Sequence, residues 1–290
     1  LCRYSIKATF RWANSIVAFG LELINWQAPW LQPFAPLGEA LCKRVLDGQV
    51  LPSKPLKIDL TDAAFSSTAH SAVTVASVLN QALSSYPQVP VKFVPQATLP
   101  IGKAYETFIY QTKQVPTRDG LHDFFNALVW LHLPQTKLLL NQLQATEIAN
   151  LGIGAKRGAL RDALTLFDEN VLLLYAPDEL WDALQNKQWQ RLMLDLRNLW
   201  QASNYVLFGH ALQEKLVAPR KGMCAHVLRV PQKFNNLTQL DDILSGYLNP
   251  QLLASKPYCH LPVLGIPGWC ADNENASYYQ DNYVFRAKRQ

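Results

Sequence analysis

Two residues of the segment 208–215 have the type and spacing of metal ligands. His210 and Glu214 lie four residues apart, so on a helix they share one face. An imidazole and a carboxylate presented in this way are typical of helical zinc sites, although the same pair also forms ordinary surface hydrogen bonds. Gly209, immediately before His210, indicates that another part of the chain approaches the helix closely there.

A second histidine lies in a helical pattern of mostly apolar residues. His122 and Asn126 are also four residues apart, and they point to the same side of a helix predicted over residues 121–133 with Asp119 as its N-cap. Polar side chains among phenylalanines are either buried with hydrogen-bond partners or line a cleft. His122 therefore either buttresses a neighbouring loop or belongs, with Asn126, to a catalytic site.

Carboxylates and arginines could complete such a site. Asp168 and Glu169 could bind a divalent metal or act as acid and base, although Asp-Glu-Asn before an apolar run is also typical of a turn. Arg118 has the planar fork that suits a carboxylate or a phosphate, or it forms a plain ion pair. Arg161, seven residues before Asp168, shares its helix face and could either pair with a neighbour of Asp162 or neutralise a substrate anion.

A third histidine lies in a predicted strand. Alternation over residues 224–230 places Cys224 and His226 on one face, where they are either structural or, given a favourable bend, partners in a metal site. The cysteines include no CxxC pair, which argues against a zinc ribbon. The predicted metal ligands are therefore His210, Glu214 and His226, with a divalent metal ion as the candidate cofactor.

The elements that must position these residues are mainly helical. Helical periodicity predicts helices over residues 121–133, 134–150, 155–167, 178–185, 188–201, 205–217 and 238–248. Strand patterns cover residues 56–60, 91–94, 105–111, 171–175 and 224–230. We expect an α+β, predominantly helical fold with a small sheet, in a single globular domain over residues 1–290. An irregular aromatic N-terminal arm would run to about residue 36, a motif-bearing helical body from about 117 to 230, and a C-terminal wrap from about 250 to 290.

Composition and missing motifs exclude several classes of function. A net charge of +5, from 27 basic and 22 acidic residues, is too small and too scattered to favour nucleic-acid binding. No apolar run reaches the 18 or so residues that a membrane span needs, and no signal peptide is evident, so a cytoplasmic location is the default expectation. Walker, Gly-x-Ser-x-Gly and His-Glu-x-x-His motifs are absent. The oligomeric state stays open.

Six segments form an ordered set along the chain. They are TRDGLHDFFNALVW (117–130), PQTK (134–137), RDALTLFDEN (161–170), FGHALQEK (208–215), AH (225–226) and LPVLGIPGW (261–269). In this order they resemble a bacterial family catalogued as domain of unknown function 3025, over about residues 26–286. The ending SYYQDNYVFR (277–286) fits the family's closing pattern, whereas Cys270 departs from the aromatic or acidic residue expected there. The resemblance implies a shared architecture and no particular activity.

The polar residues support one hypothesis for function. It is a metal-assisted or acid–base hydrolase, acting on a small-molecule or anionic substrate in a cleft between the helices that carry His122 and His210. The hypothesis requires these histidines and Asp168 to converge, within the roughly 12 Å that two shells of a metal site span.

The alternative hypothesis is a non-catalytic protein-binding module. It would use exposed aromatic segments as its contact surface, because exposed aromatic patches mark interfaces. The aromatic residues concerned are Trp26, Trp30, Phe34, Trp269, Tyr278 and Tyr279.

Overall fold

The computed structural model describes residues 20–49, 73–152 and 158–288. It confirms the predicted fold class, since helices dominate these ranges and the strands form two small sheets. The α-helices are α1 (Ala35–Gln49), α2 (Val75–Ala82), α3 (Tyr105–Thr112), α4 (Leu121–His132), α5 (Pro134–Leu151), α6 (Ala159–Asn170), α7 (Asp178–Gln185), α8 (Arg197–Ala202), α9 (His210–Lys215), α10 (Leu237–Tyr247) and α11 (Pro250–Ala254). The strands are β1 (Lys92–Pro95), β2 (Gln114–Thr117), β3 (Val171–Tyr175), β4 (Asn204–Leu207), β5 (Cys224–Arg229) and β6 (Cys259–Pro262). Within these ranges no helix has both the length and the apolar character needed to cross a membrane.

The larger sheet has the strand order β4-β3-β5-β6. Its central pair, β3 and β5, is parallel, and the outer strands β4 and β6 are antiparallel to their neighbours. The first four residues of β3 are fully buried, which explains why this strand is a continuous apolar run in the sequence. The predicted strands over residues 171–175 and 224–230 are thereby confirmed.

The smaller sheet pairs β1 with β2 in parallel, and α3 connects them. Parallel neighbours need a crossover connection, usually a helix, so the strand predicted over residues 105–111 is wrong. Phe108 and Ile109 are the buried residues of α3. Strand β1 pairs with β2, which follows α3 in the chain. The strand predicted over residues 56–60 lies outside the described ranges.

Helix α4 carries the first candidate histidine, and it is surrounded by protein over most of its length. Every residue from Asp123 to Leu131 is buried. A helix covered on all sides must pair its polar side chains internally. Asp119 does not cap this helix as predicted, because its Oδ1 accepts a hydrogen bond from the Val75 N–H at the start of α2 (2.7 Å).

Two predicted element boundaries near the candidate residues are wrong. Helix α6 continues through Asn170 and leads directly into β3, so residues 168–170 are helical and not a turn. The helix predicted over residues 205–217 is divided into strand β4 and helix α9. The division occurs where the N–H groups of Phe208 and Gly209 both donate to the Val171 carbonyl, at 3.0 and 2.9 Å.

The aromatic residues proposed as a contact surface are buried. None of the six is more than 8% exposed, and the rings of Trp30 and Trp269 pack with their centroids 5.7 Å apart. The N-terminal aromatic segment is therefore held on the body by aromatic packing. The prediction of an exposed aromatic surface is wrong, and the binding-module hypothesis loses its basis.

The start of α5 is held by a side chain from a distant helix. Helix α5 begins with Pro134 and has no side-chain cap of its own. Asp241 of α10, only 2% exposed, accepts hydrogen bonds from the Gln135 N–H (2.9 Å), the Thr136 N–H (2.8 Å) and the Thr136 hydroxyl (2.7 Å). This carboxylate therefore replaces a local N-cap and joins the two helices.

We expect Asp241→Ala to lower the free energy of unfolding by about 2–4 kcal/mol, because it removes a cap and leaves buried donors unpaired. Urea denaturation followed by circular dichroism measures the change. Asp242→Ala is the matched control, since Asp242 is exposed and bonds only the Gln135 side chain in this region. Equal stability losses in the two variants would contradict the capping role.

Candidate active site

Six of the predicted site residues line one cleft of about 490 Å³. Helices α3, α4, α5 and α6, the start of α9 and the loop before α3 form its walls. The lining includes Arg118, His122, Asn126, Asp168, Glu169 and His210, together with Tyr105, Glu106, Asp123, Gln144, Arg161 and Thr165. Leu99, Ala104 and Ile148 contribute apolar surface. Most of the residues that line the cleft are thus polar, and several of them are titratable.

A close backbone approach places His210 in this cleft. A Cβ atom on Gly209 would lie 2.5–2.7 Å from the backbone of Asn170, a distance that real side chains do not occupy. The glycine therefore allows the start of α9 to contact the end of α6, as its place in the sequence indicates. At this contact His210 Nδ1 donates to the main-chain carbonyl of Asp168 (2.7 Å).

His122, from α4, contacts both of the predicted polar residues of α9. Its Nδ1 lies 2.8 Å from Glu214 Oε2, and its Nε2 lies 3.1 Å from Nε2 of His210. The two imidazole rings are nearly perpendicular, with centroids 4.6 Å apart. The spacing of His210 and Glu214 therefore presents both to one partner, and that partner is a histidine.

The hydrogen-bond pattern fixes the role of each ring nitrogen. A carbonyl only accepts, so His210 Nδ1 carries a proton. Burial lowers the pKa of His210 to about 4, so near pH 7 the ring is neutral and its Nε2 is an acceptor. His122 must then donate through Nε2, while its Nδ1 faces the Glu214 carboxylate. The pattern is satisfied when His122 carries both protons and a neutral His210 accepts one of them.

A buried lysine continues this network on the other side of Asp168. Lys137, 5% exposed, donates from Nζ to Asp168 Oδ1 (2.5 Å) and to Asn126 Oδ1 (2.8 Å). Asn126 Nδ2 in turn donates to the Tyr105 hydroxyl (3.3 Å). Burial, the largest single effect, would raise the pKa of Asp168, but the charge and hydrogen bond of Lys137 together with the two nearby histidines hold this pKa below its usual value. Asp168 is therefore a carboxylate, paired with an internal cation.

Arg118 is engaged by a neighbouring carboxylate. Asp123 accepts two hydrogen bonds from its guanidinium, at Nε (3.0 Å) and Nη2 (2.9 Å), and a third from its backbone N–H (2.6 Å). The bidentate pair raises the pKa of Arg118. The guanidinium of Arg118 thus has a partner within the chain, in agreement with the ion-pair alternative. A role of Arg118 in holding substrate stays a prediction.

The remaining predicted residues lie at the edge of the cleft or outside it. Glu169 lines the cleft and is exposed. His226 does not line it; its Nδ1 lies 2.7 Å from Asn170 Oδ1, and its ring packs against His260 on the neighbouring strand. Burial lowers the pKa of His226 to about 4.

Among the described residues no group of three or more histidine, cysteine, aspartate or glutamate side chains could hold a metal ion. The side chains proposed as ligands are instead hydrogen-bonded to one another or to neighbours: Glu214 to His122, His210 to the Asp168 carbonyl, and His226 to Asn170. The metal assignment therefore stays a prediction without support from these contacts.

Sequence reasoning missed Glu106, which lines the cleft, and Lys137, which does not line it but pairs with Asp168. Glu106 lies on α3, the helix that was predicted as a strand. Burial raises the pKa of its carboxyl. This carboxyl accepts a hydrogen bond from Asn141 Nδ2 (2.6 Å). Lys137 belongs to the PQTK segment, and its place in the buried first turn of α5 is the signal that could have identified it. A lysine in such a position needs a carboxylate partner.

One comparison with known proteins matches the part of the chain that forms the cleft. Residues 91–289 match the model of a family described as protein of unknown function DUF3025. This range contains every residue that lines the cleft. Neither a curated protein nor a solved structure matches the chain. With more than half of its length covered, the chain belongs to the DUF3025 family of proteins of unknown function.

Proposed function

We propose that this protein is an acid–base hydrolase that acts on a small anionic substrate in the cleft. The observation that carries the proposal is the contact of 3.1 Å between Nε2 of His122 and Nε2 of His210. Both rings line the cleft, and their hydrogen bonds assign opposite protonation states to them. A site that holds an acid and a base together at one pH is equipped for hydrolysis.

The two imidazoles divide the proton transfers of hydrolysis between them. When water and substrate enter between the two rings, the hydrogen bond between their Nε2 atoms opens. Neutral His210 then accepts a proton from the attacking water at Nε2, and protonated His122 donates its Nε2 proton to the leaving group. After these steps His210 carries the additional proton and His122 has lost one. Direct transfer from Nε2 to Nε2 restores the starting state without any other proton carrier. Glu214 stabilises the positive charge on His122 in each cycle.

The surrounding residues keep this pair asymmetric. The Asp168 carbonyl fixes the tautomer of His210, in the way that a carbonyl or carboxylate orients catalytic histidines elsewhere. Lys137 neutralises the Asp168 carboxylate, whose Oδ2 lies 3.8 Å from His210 Nδ1. Asp168, Asn126 and Lys137 are therefore positioning residues, and the two histidines are the catalytic ones.

The first prediction concerns the ring nitrogens. In ¹⁵N-labelled protein at pH 7, we expect both nitrogens of His122 to carry protons, and His210 to carry one on Nδ1 only. On acidification His210 is expected to remain neutral until the pH approaches its pKa of about 4. In Glu214→Gln the amide can donate to Nδ1 of His122, so this ring is expected to become neutral and protonated on Nε2.

Long-range ¹H–¹⁵N spectra measure these states directly. Exposed His260 provides the internal reference. If neither His122 nor His210 carries a proton on Nε2, the hydrogen bond inferred between these two atoms is contradicted. Two lone pairs facing each other at 3.1 Å would then require a metal ion between them, which would favour the metal-assisted form of the hydrolase.

The second prediction concerns activity. We expect His122→Gln and His210→Gln each to lower kcat/KM for hydrolysis by about 10²- to 10⁴-fold, the usual contribution of a positioned acid or base. The probes are the 4-nitrophenyl esters of acetate, succinate and phosphate, with release of 4-nitrophenol as the readout.

His260→Gln is the matched control, because this histidine is exposed and does not line the cleft. It is expected to retain wild-type turnover. Hydrolysis that survives both cleft substitutions, or a wild-type protein that cleaves none of the three esters, would count against the proposed reaction.

A further inference from the structure

Arg161 is a cation of the cleft without an ion-pair partner among the described residues. Arg161 lies in the first turn of α6 and lines the cleft. Its Nε is buried and has no hydrogen-bond partner, and among the described residues no carboxylate forms an ion pair with it. Leaving a charged donor unpaired inside a protein is unfavourable, so this guanidinium is suited to a partner that enters the cleft.

The carboxylates that line the cleft form no ion pair with Arg161. The charge of Arg161 acts on Glu106, but the Glu106 carboxyl is bonded to Asn141 and burial raises its pKa. Asp168 is paired with Lys137. Glu169 is exposed to solvent, where its charge is screened.

We propose that Arg161 binds the oxyanion group of the substrate, a carboxylate or a phosphate. Its Nε is covered by protein, so an entering group meets the terminal Nη donors, whose planar arrangement suits two oxygens of a carboxylate or a phosphate. Its assignment to a substrate rests on the proposed function, whereas anion binding itself can be measured without any reaction.

The position of Arg161 also limits the shape of the substrate. Seven residues of α6 separate it from Asp168, which corresponds to about 10 Å along the helix. The histidine pair lies at the Asp168 end. The substrate class is therefore an elongated anion, with its charged group at one end and its scissile bond at the other.

Binding of acetate and of inorganic phosphate to the full-length protein tests this inference. The readouts are titration calorimetry and the ¹H–¹⁵N resonance of Arg161 Nε. We expect saturable binding of at least one probe, with a shift of that resonance. Arg161→Gln is expected to weaken binding by about 10- to 100-fold, the value of a charge-assisted hydrogen bond, and Arg161→Lys by less. The probe that binds more tightly, acetate or phosphate, indicates whether the substrate carries a carboxylate or a phosphate group.

Two controls separate this inference from the proposed hydrolysis. Arg191→Gln removes an exposed arginine outside the cleft and is expected to bind the probes like the wild type. His122→Gln is expected to lose turnover and to keep anion binding. The anion site would be overturned if neither probe shifts the Arg161 resonance, or if Arg161→Gln binds the probes as tightly as the wild type does. Either result would hold whatever the activity measurements show.

Discussion

The hydrogen bond from His210 Nδ1 to the Asp168 carbonyl, 2.7 Å long, determines most of what the cleft can do. It exists because Gly209 lets the start of α9 reach the backbone at the end of α6. A carbonyl acceptor permits only one tautomer of the ring. Nε2 of His210 is consequently an acceptor aimed at His122, and the protonation of His122 follows from it. A backbone approach thus decides the chemistry of two side chains.

From this bond a chain of polar contacts extends across the core in both directions. Toward the surface it passes through His122 to Glu214. In the other direction the Asp168 side chain meets Lys137, which leads through Asn126 to the Tyr105 hydroxyl. The chain of contacts connects five helices, α3, α4, α5, α6 and α9. Buried charges are tolerated because each one meets an opposite charge or a directed dipole.

The sequence was informative where the signal was local. The spacing of His210 and Glu214 and the glycine before them predicted a shared face and a close approach, and both are present. Prediction from the sequence failed where a contact with a distant part of the chain determines the local structure. Asp119 is bonded to α2 rather than to its own helix, and residues 168–170 stay helical at a point where His210 of α9 donates to the Asp168 carbonyl. Lys137 was missed because its partner carboxylate lies 31 residues away, beyond any spacing rule.

Lys137 also explains how His210 stays neutral beside a carboxylate. An unpaired Asp168 would favour the protonated imidazole, and its charge does act in that direction. Burial is the larger effect, and the positive charge of Lys137 adds to it by opposing a second cation nearby. Were both rings protonated, two like charges would meet at 3.1 Å, and neither nitrogen could accept a proton. The buried Lys137–Asp168 pair therefore preserves the difference between the histidines on which the proposed acid–base catalysis depends.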